Sequence, residues 1–141
     1  MFERDAYPIS QTGLDAWYYT INNLKNLFKM YNTKNNVQLN NYFNKLEIIN
    51  NDLINGIKIT YNTMFSPNVS LAMKRENSER MKLYFNSIIE KVKDIFQAVQ
   101  YKKRLSLNEQ IMGDIIFQFA WTLNSIAKSA IYGIDFARIE L

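Results

Sequence analysis

The sequence predicts an all-α protein, an antiparallel four-helix bundle with short apolar arms at both ends. Apolar side chains recur every three or four residues in four successive segments, as they do on one face of an α-helix. The chain contains only four Gly and two Pro, too few for a turn-rich all-β fold. Its 141 residues suffice for one domain with an ordinary hydrophobic core, so we expect a single domain over residues 1–141.

The first helix is predicted at about residues 13–31. Thr12 is a suitable N-cap, and Asp15 three residues later gives a pattern like a capping box. The polar run 32–36 ends the helix. The apolar stripe between these limits consists of Leu14, Trp17, Tyr18, Ile21, Leu24, Phe28 and Tyr31.

The second helix is predicted at about residues 38–65, and Pro67 ends it. Its apolar stripe consists of Leu39, Tyr42, Leu46, Ile49, Leu53, Ile57, Tyr61 and Met64. Gly56 lies inside the helix, where glycine costs about 1 kcal/mol relative to alanine. We therefore expect a kink or a close contact at this position.

The third helix is predicted at about residues 77–104. Its apolar residues alternate four and three positions apart without a break: Met81, Phe85, Ile88, Val92, Ile95 and Val99. Residues 66–76 fit either a loop or, from Ser70, the first turns of this helix. The basic run Lys102 to Arg104 falls in the last predicted turn, where cations suit the helix dipole.

The fourth helix is predicted at about residues 107–132. Ser106 and Glu109 have the spacing of a capping box at its start. Gly133 is the residue type favoured just beyond a helix end, so we expect the helix to stop there. The residues beyond it would then form the C-terminal arm.

The fourth helix is unusually apolar, since Ile111 to Ile134 contains two charged residues. Three explanations are open: a transmembrane span, a central place in the bundle, or a contact with another subunit. Gln118, Asn124 and Lys128 would lie in hydrocarbon at appreciable cost, so we expect no membrane span.

A row of small residues also marks this helix. Gly113, Ala120 and Ala127 are seven residues apart and so share one side of it. Small side chains let a second helix approach closely. We interpret the row as a candidate packing seam, either within the chain or between subunits.

The positive charge is concentrated in the third helix. Residues 74–104 hold nine basic and four acidic residues, whereas the whole chain has a net charge of +4. A candidate contact with a polyanion or an acidic partner comprises Arg75, Lys82, Lys93, Lys102, Lys103 and Arg104. The alternative is that these side chains cover the core edge with their stems and keep only their tips in water.

Several chemistries are excluded by composition. The chain has no Cys and no His, which removes disulfides, thiolate catalysis and the commonest general base and metal ligand. It contains no glycine-rich phosphate-binding motif. Among the carboxylates we considered Glu47, Asp52 and Asp114, but a di-metal bundle would also need histidines. We expect no enzymatic activity, no cofactor and no metal.

The sequence therefore favours a non-enzymatic structural or adaptor subunit that acts by helix-mediated protein assembly, self-association included. The alternative is a nucleic-acid-binding accessory protein that uses the basic third helix. Abundant Asn, Ile, Lys and Tyr indicate AT-rich coding and suggest phage or mobile-element origin. The N-terminal segment lacks an apolar signal core, so we expect a cytoplasmic or virion location. The candidate docking arms carry Phe2, Tyr7, Ile9, Phe136, Ile139 and Leu141.

Overall fold

A computed structural model describes the backbone of residues 11–65, 68–104 and 106–140. It describes side-chain surroundings for residues 15–60, 62–63, 68–104 and 106–134. The described residues form four helices and no strand, which confirms the all-α four-helix bundle. The helices are α1 (Gln11–Tyr31), α2 (Val37–Phe65), α3 (Leu71–Tyr101) and α4 (Leu107–Glu140).

The third helix begins earlier than predicted. Ser70 caps it, since the Ser70 hydroxyl accepts a hydrogen bond of 3.2 Å from the backbone N–H of Met73. Residues 71–76 are therefore helical rather than a loop. The helix also ends earlier, at Tyr101, where the N–H of Lys102 bonds the carbonyl of Val99 in a final tight turn.

The fourth helix does not stop at Gly133 but continues to Glu140. A glycine ends a helix by adopting positive φ, and none of the described glycines does so. The predicted C-terminal arm is thus helical in its backbone over Phe136 and Ile139. Their side chains, and Leu141, lie outside the described residues, as does the N-terminal arm with Phe2, Tyr7 and Ile9.

Helix α4 is the central element of the bundle, because it packs against each of the other three helices. Eight of its side chains are at most 2% exposed: Met112, Ile116, Phe119, Ala120, Leu123, Ala127, Ala130 and Ile134. The ring of Phe119 meets that of Phe43 at 5.1 Å, and Phe43 stacks on Phe28 at 4.4 Å. This central position explains most of the apolar character of α4.

Helices α2 and α3 approach closely at Gly56, as its place in the sequence suggested. A Cβ atom there would lie 2.6 Å from Cε1 of Tyr84, so only glycine leaves room for the Tyr84 ring. The Tyr84 hydroxyl donates a hydrogen bond of 2.9 Å to the backbone carbonyl of Asp52. Burial of the phenol, together with the nearby Asp52 carboxylate, raises the pKa of Tyr84 above 10.0.

Candidate interaction groove

A groove of about 230 Å³ lies between α3 and α4 and is the best candidate for a functional site. We call it the α3–α4 groove. It is lined by Val92, Lys93, Phe96, Ala120, Trp121, Asn124 and Lys128. The two helices are antiparallel, because Arg104 near the end of α3 meets Asp114 near the start of α4.

The floor of the groove is apolar and follows from helical spacing. Val92 and Phe96 are four residues apart on α3 and therefore lie on one side of it. Val92 is 2% exposed, and Phe96 packs on Phe117 with ring centroids 4.7 Å apart. Opposite them, Ala120 is buried but too short to fill the space between the helices.

Trp121 forms the exposed wall of the groove. Its side chain is 64% exposed, whereas Trp17 in α1 is buried and donates a hydrogen bond of 2.8 Å to Oδ1 of Asn50. A large aromatic ring left in water beside an apolar groove is unusual for a side chain with only a packing role.

The mouth of the groove is cationic. Lys93 and Lys128 are both exposed, and none of the seven lining residues is acidic. The ammonium of Lys93 lies 3.6 Å from the carboxylate of Glu90, and both side chains are more than half exposed. Exposed pairs of this kind contribute about 0–1 kcal/mol, so Lys93 can exchange this carboxylate for another at little cost.

Asn124, which lines the groove, carries an unpaired acceptor. Its Oδ1 is buried and has no hydrogen-bond partner among the described residues. Because this oxygen has almost no accessible surface, a molecule in the groove does not contact it directly.

The predicted small-residue seam is only partly a helix–helix contact. Ala120 and Ala127 are buried, with Ala120 on the floor of the groove. Gly113 instead makes room for Arg104, since a Cβ atom there would collide with the Arg104 guanidinium. The guanidinium lies 5.2 Å from the ring centroid of Phe117 and 3.6 Å from Asp114.

The basic candidates of α3 do not form one surface. Arg104 is largely covered, because its side chain is 22% exposed and its Nη1 is buried. Lys102 donates a hydrogen bond to Gln38, and Lys82 is half-buried. Arg75 and Lys103 are exposed. Of the six candidates, the groove includes Lys93 alone, and Lys128 joins it from α4.

A second cavity, of about 250 Å³, lies where the turn between α1 and α2 meets the start of α4. Its polar groups are largely paired with one another. Ser106 accepts from the N–H of Glu109 at 3.1 Å, as the capping box predicts. The Glu109 carboxylate also accepts a hydrogen bond from Asn36 of the turn at 3.2 Å. These hydrogen bonds connect the α1–α2 turn to the start of α4 and indicate a structural role for this cavity.

Comparisons with family models, curated proteins and solved structures found no match for this chain. Among the residues whose side chains are described, no cluster of three or more acidic side chains could hold a metal ion. Within the same part of the chain, no helix is both long and apolar enough to span a membrane. The fold class is an all-α four-helix bundle, and the α3–α4 groove combines an apolar floor with an exposed tryptophan and two lysines.

Proposed function

We propose that this protein is a non-enzymatic structural or adaptor subunit that binds other proteins through the α3–α4 groove. The single observation that supports this most directly is Trp121, exposed beside an apolar floor. Tryptophan is enriched among the residues that dominate binding energy at protein interfaces. The abundance of Asn, Ile, Lys and Tyr in the chain supports a phage or mobile-element origin. A cytoplasmic or virion location is part of the same proposal.

An exposed tryptophan favours protein binding because its rigid ring can bury a large apolar area against a partner. An aromatic side chain buries about 150–250 Å² when fully covered, and tryptophan loses little conformational entropy in doing so. Trp121 leaves most of this area in water in the isolated chain. A partner that covers Trp121 and fills the space above Ala120 removes apolar surface from water on both sides.

A nucleic-acid-binding accessory protein is the second candidate function. The observation in its favour is Tyr101, which is 84% exposed next to the exposed Lys103 and could stack on a base. The partial burial of Arg104 and the hydrogen bond of Lys102 to Gln38 weaken it, because they engage two of the cations within the chain.

Site-specific photo-crosslinking tests the main proposal. A benzophenone side chain replaces Trp121 in one variant and Tyr19 in a control, and both are examined in the cells that produce the protein and as purified protein. Tyr19 is a suitable control because it is 70% exposed but lies on α1, away from the groove. We expect a discrete crosslinked protein, or a crosslinked second copy, from position 121 and none from position 19.

Light scattering and a salt-dependent gel shift complete the test. A mass that rises with concentration in the wild type but not in Trp121→Ala identifies self-assembly through the groove. No crosslink at position 121, together with a monomeric mass, would reject the proposal. Binding of DNA or RNA that is lost in Tyr101→Ala and Lys103→Ala would favour the second candidate.

A further inference from the structure

The α3–α4 groove is sized for one side chain. Its volume is about 230 Å³, whereas sites for small molecules usually measure about 300–1,000 Å³. It lies between the antiparallel helices α3 and α4 and opens to solvent beside Trp121. Grooves of this shape receive the apolar face of a helix, with one side chain inserted as an anchor.

The charges around the groove indicate which charge a bound helix would carry. Lys93 and Lys128 approach the mouth from different helices, and no carboxylate lines it. The weak, exposed pair of Lys93 with Glu90 offers little competition to a second carboxylate. The complementary partner is acidic at positions close to its anchor.

We infer that the α3–α4 groove binds an acidic amphipathic helix of a partner protein, with one apolar side chain between Phe96 and Trp121. Glu or Asp residues one turn before and after the anchor lie within reach of Lys93 and Lys128, since residues four apart share a helix face. This inference rests on the proposed function, because it names the partner class for the same groove.

Fluorescence quenching measures the local charge in the free protein. Trp121 is 64% exposed and Trp17 is 6% exposed, so ionic quenchers report mainly on Trp121. Relative to the quenching of free tryptophan by the same ions, we expect iodide to quench more strongly than caesium at equal ionic strength, because cations attract the anion. Lys93→Glu combined with Lys128→Glu should reverse this order.

Lys45→Glu combined with Lys91→Glu is the matched control. These lysines line a separate groove between α2 and α3. Each double variant changes the net charge from +4 to zero, so only the place of the change differs. We expect the control to retain the wild-type order of quenching.

Designed peptides then test the partner class. Each is an amphipathic helix of about 20 residues, since shorter helices are marginal in water. One has a Leu anchor flanked by Glu, the second has Lys in place of Glu, and the third has Ala in place of Leu. We expect the Glu peptide to bind at least about tenfold more tightly than either of the others. Its binding should shift the emission of Trp121 and protect it from iodide.

Variants of the protein show where the Glu peptide binds. Lys93→Glu with Lys128→Glu should weaken the Glu peptide at least about tenfold, and Lys45→Glu with Lys91→Glu should not. The Trp121→Phe variant, which keeps only Trp17 as a fluorophore, should lose the emission shift. A circular-dichroism spectrum equal to that of the wild type shows that each variant is folded.

Four outcomes would overturn the inference: no binding by any peptide, equal binding of the Glu and Lys peptides, equal loss in the two double variants, or a second copy in the groove. A single-stranded oligonucleotide that displaces the Glu peptide and binds more tightly would assign the groove to nucleic acid instead. A crosslink at position 121 that persists in the Lys93→Glu, Lys128→Glu double variant would support protein binding through the groove. It would contradict the inference that the partner is acidic.

Discussion

Helix α3 forms a closed seam at Gly56 of α2 and an open seam at Ala120 of α4. Toward α2, the ring of Tyr84 lies over Gly56, and its hydroxyl bonds the Asp52 carbonyl. Toward α4, a small residue again meets an aromatic one, but Ala120 and Trp121 leave a groove of about 230 Å³. The first seam is filled by the chain itself and the second is not.

The difference lies in which helix supplies the ring. Tyr84 belongs to α3 and reaches across to the small residue on α2, so the ring fills the gap that Gly56 creates. Trp121 directly follows Ala120 on the same helix, about 100° around its axis, and cannot cover its neighbour. The facing ring at the open seam, Phe96, packs on Phe117 and does not cover Ala120, so the space beside Ala120 stays open.

Gly56→Leu should give the largest effect, because it breaks the closed seam. The added carbons collide with Tyr84 and Phe85, and overpacking costs about 1–3 kcal/mol. Loss of the Tyr84 hydrogen bond adds about 1 kcal/mol, which offsets the gain in helix propensity. Urea denaturation measures the net loss of about 1–3 kcal/mol. The exposed neighbour Asn55→Leu is the control, and an equal loss there would contradict this explanation.

The next largest effect on stability is expected from replacing a hydrogen-bonded asparagine, in contrast to an asparagine whose side-chain oxygen has no partner. Asn50→Leu leaves the buried N–H of Trp17 without an acceptor, which costs about 1–3 kcal/mol. Asn124→Leu removes an acceptor that has no partner among the described residues, so stability should stay within about 0.5 kcal/mol. Thermal unfolding of the two variants measures the contrast. Equal destabilisation would mean that Asn124 is paired within the folded chain.

The closed seam should also respond to alkaline pH. The pKa of Tyr84 is raised in the fold, so its stabilising contribution is complete below about pH 10 and is lost as pH rises through the folded pKa. Tyr84→Phe removes this dependence and costs about 0.5–1.5 kcal/mol at neutral pH through the lost hydrogen bond. Urea midpoints measured from pH 8 to about 11 should fall less steeply in this variant. Tyr132→Phe, at an exposed position, should keep the wild-type slope.

Ala120→Leu should have the smallest effect on stability, since the open seam has space for the added carbons. We expect a change of less than about 1 kcal/mol, below the usual cost of overpacking a filled core. Urea denaturation again gives the value. A loss as large as that of Gly56→Leu would show that the two seams are equally filled.

The architecture was predictable from the sequence because the apolar period was clear. On α3, Phe85, Ile88 and Val92 are all buried as predicted. The period was less informative on α2, where it favoured Tyr42 but the structure buries Phe43 to 2% exposure. A helix with neighbours on more than one side has a wide buried face, and its width depends on tertiary packing.

Only some residues of the groove, and not their arrangement, were predictable from the sequence. Lys93 and Ala120 were candidates for separate roles, and their meeting depends on the antiparallel alignment of α3 with α4. The sequence did contain a signal for Trp121. It stands in an outward stripe with the polar residues Gln118, Ser125 and Lys128, at steps of three and four. A tryptophan among residues that face water indicates a surface role.

The outer position of α1 has a consequence for how the molecule opens. Among the described helices, its backbone closely approaches that of α4 alone, and it reaches α2 through long side chains such as Phe28 and Trp17. Regions with fewer packed neighbours open at lower free energy than the global unfolding transition. Amide hydrogens of α1 should therefore exchange with deuterium before those of α4, and each such opening would expose Phe43 to water.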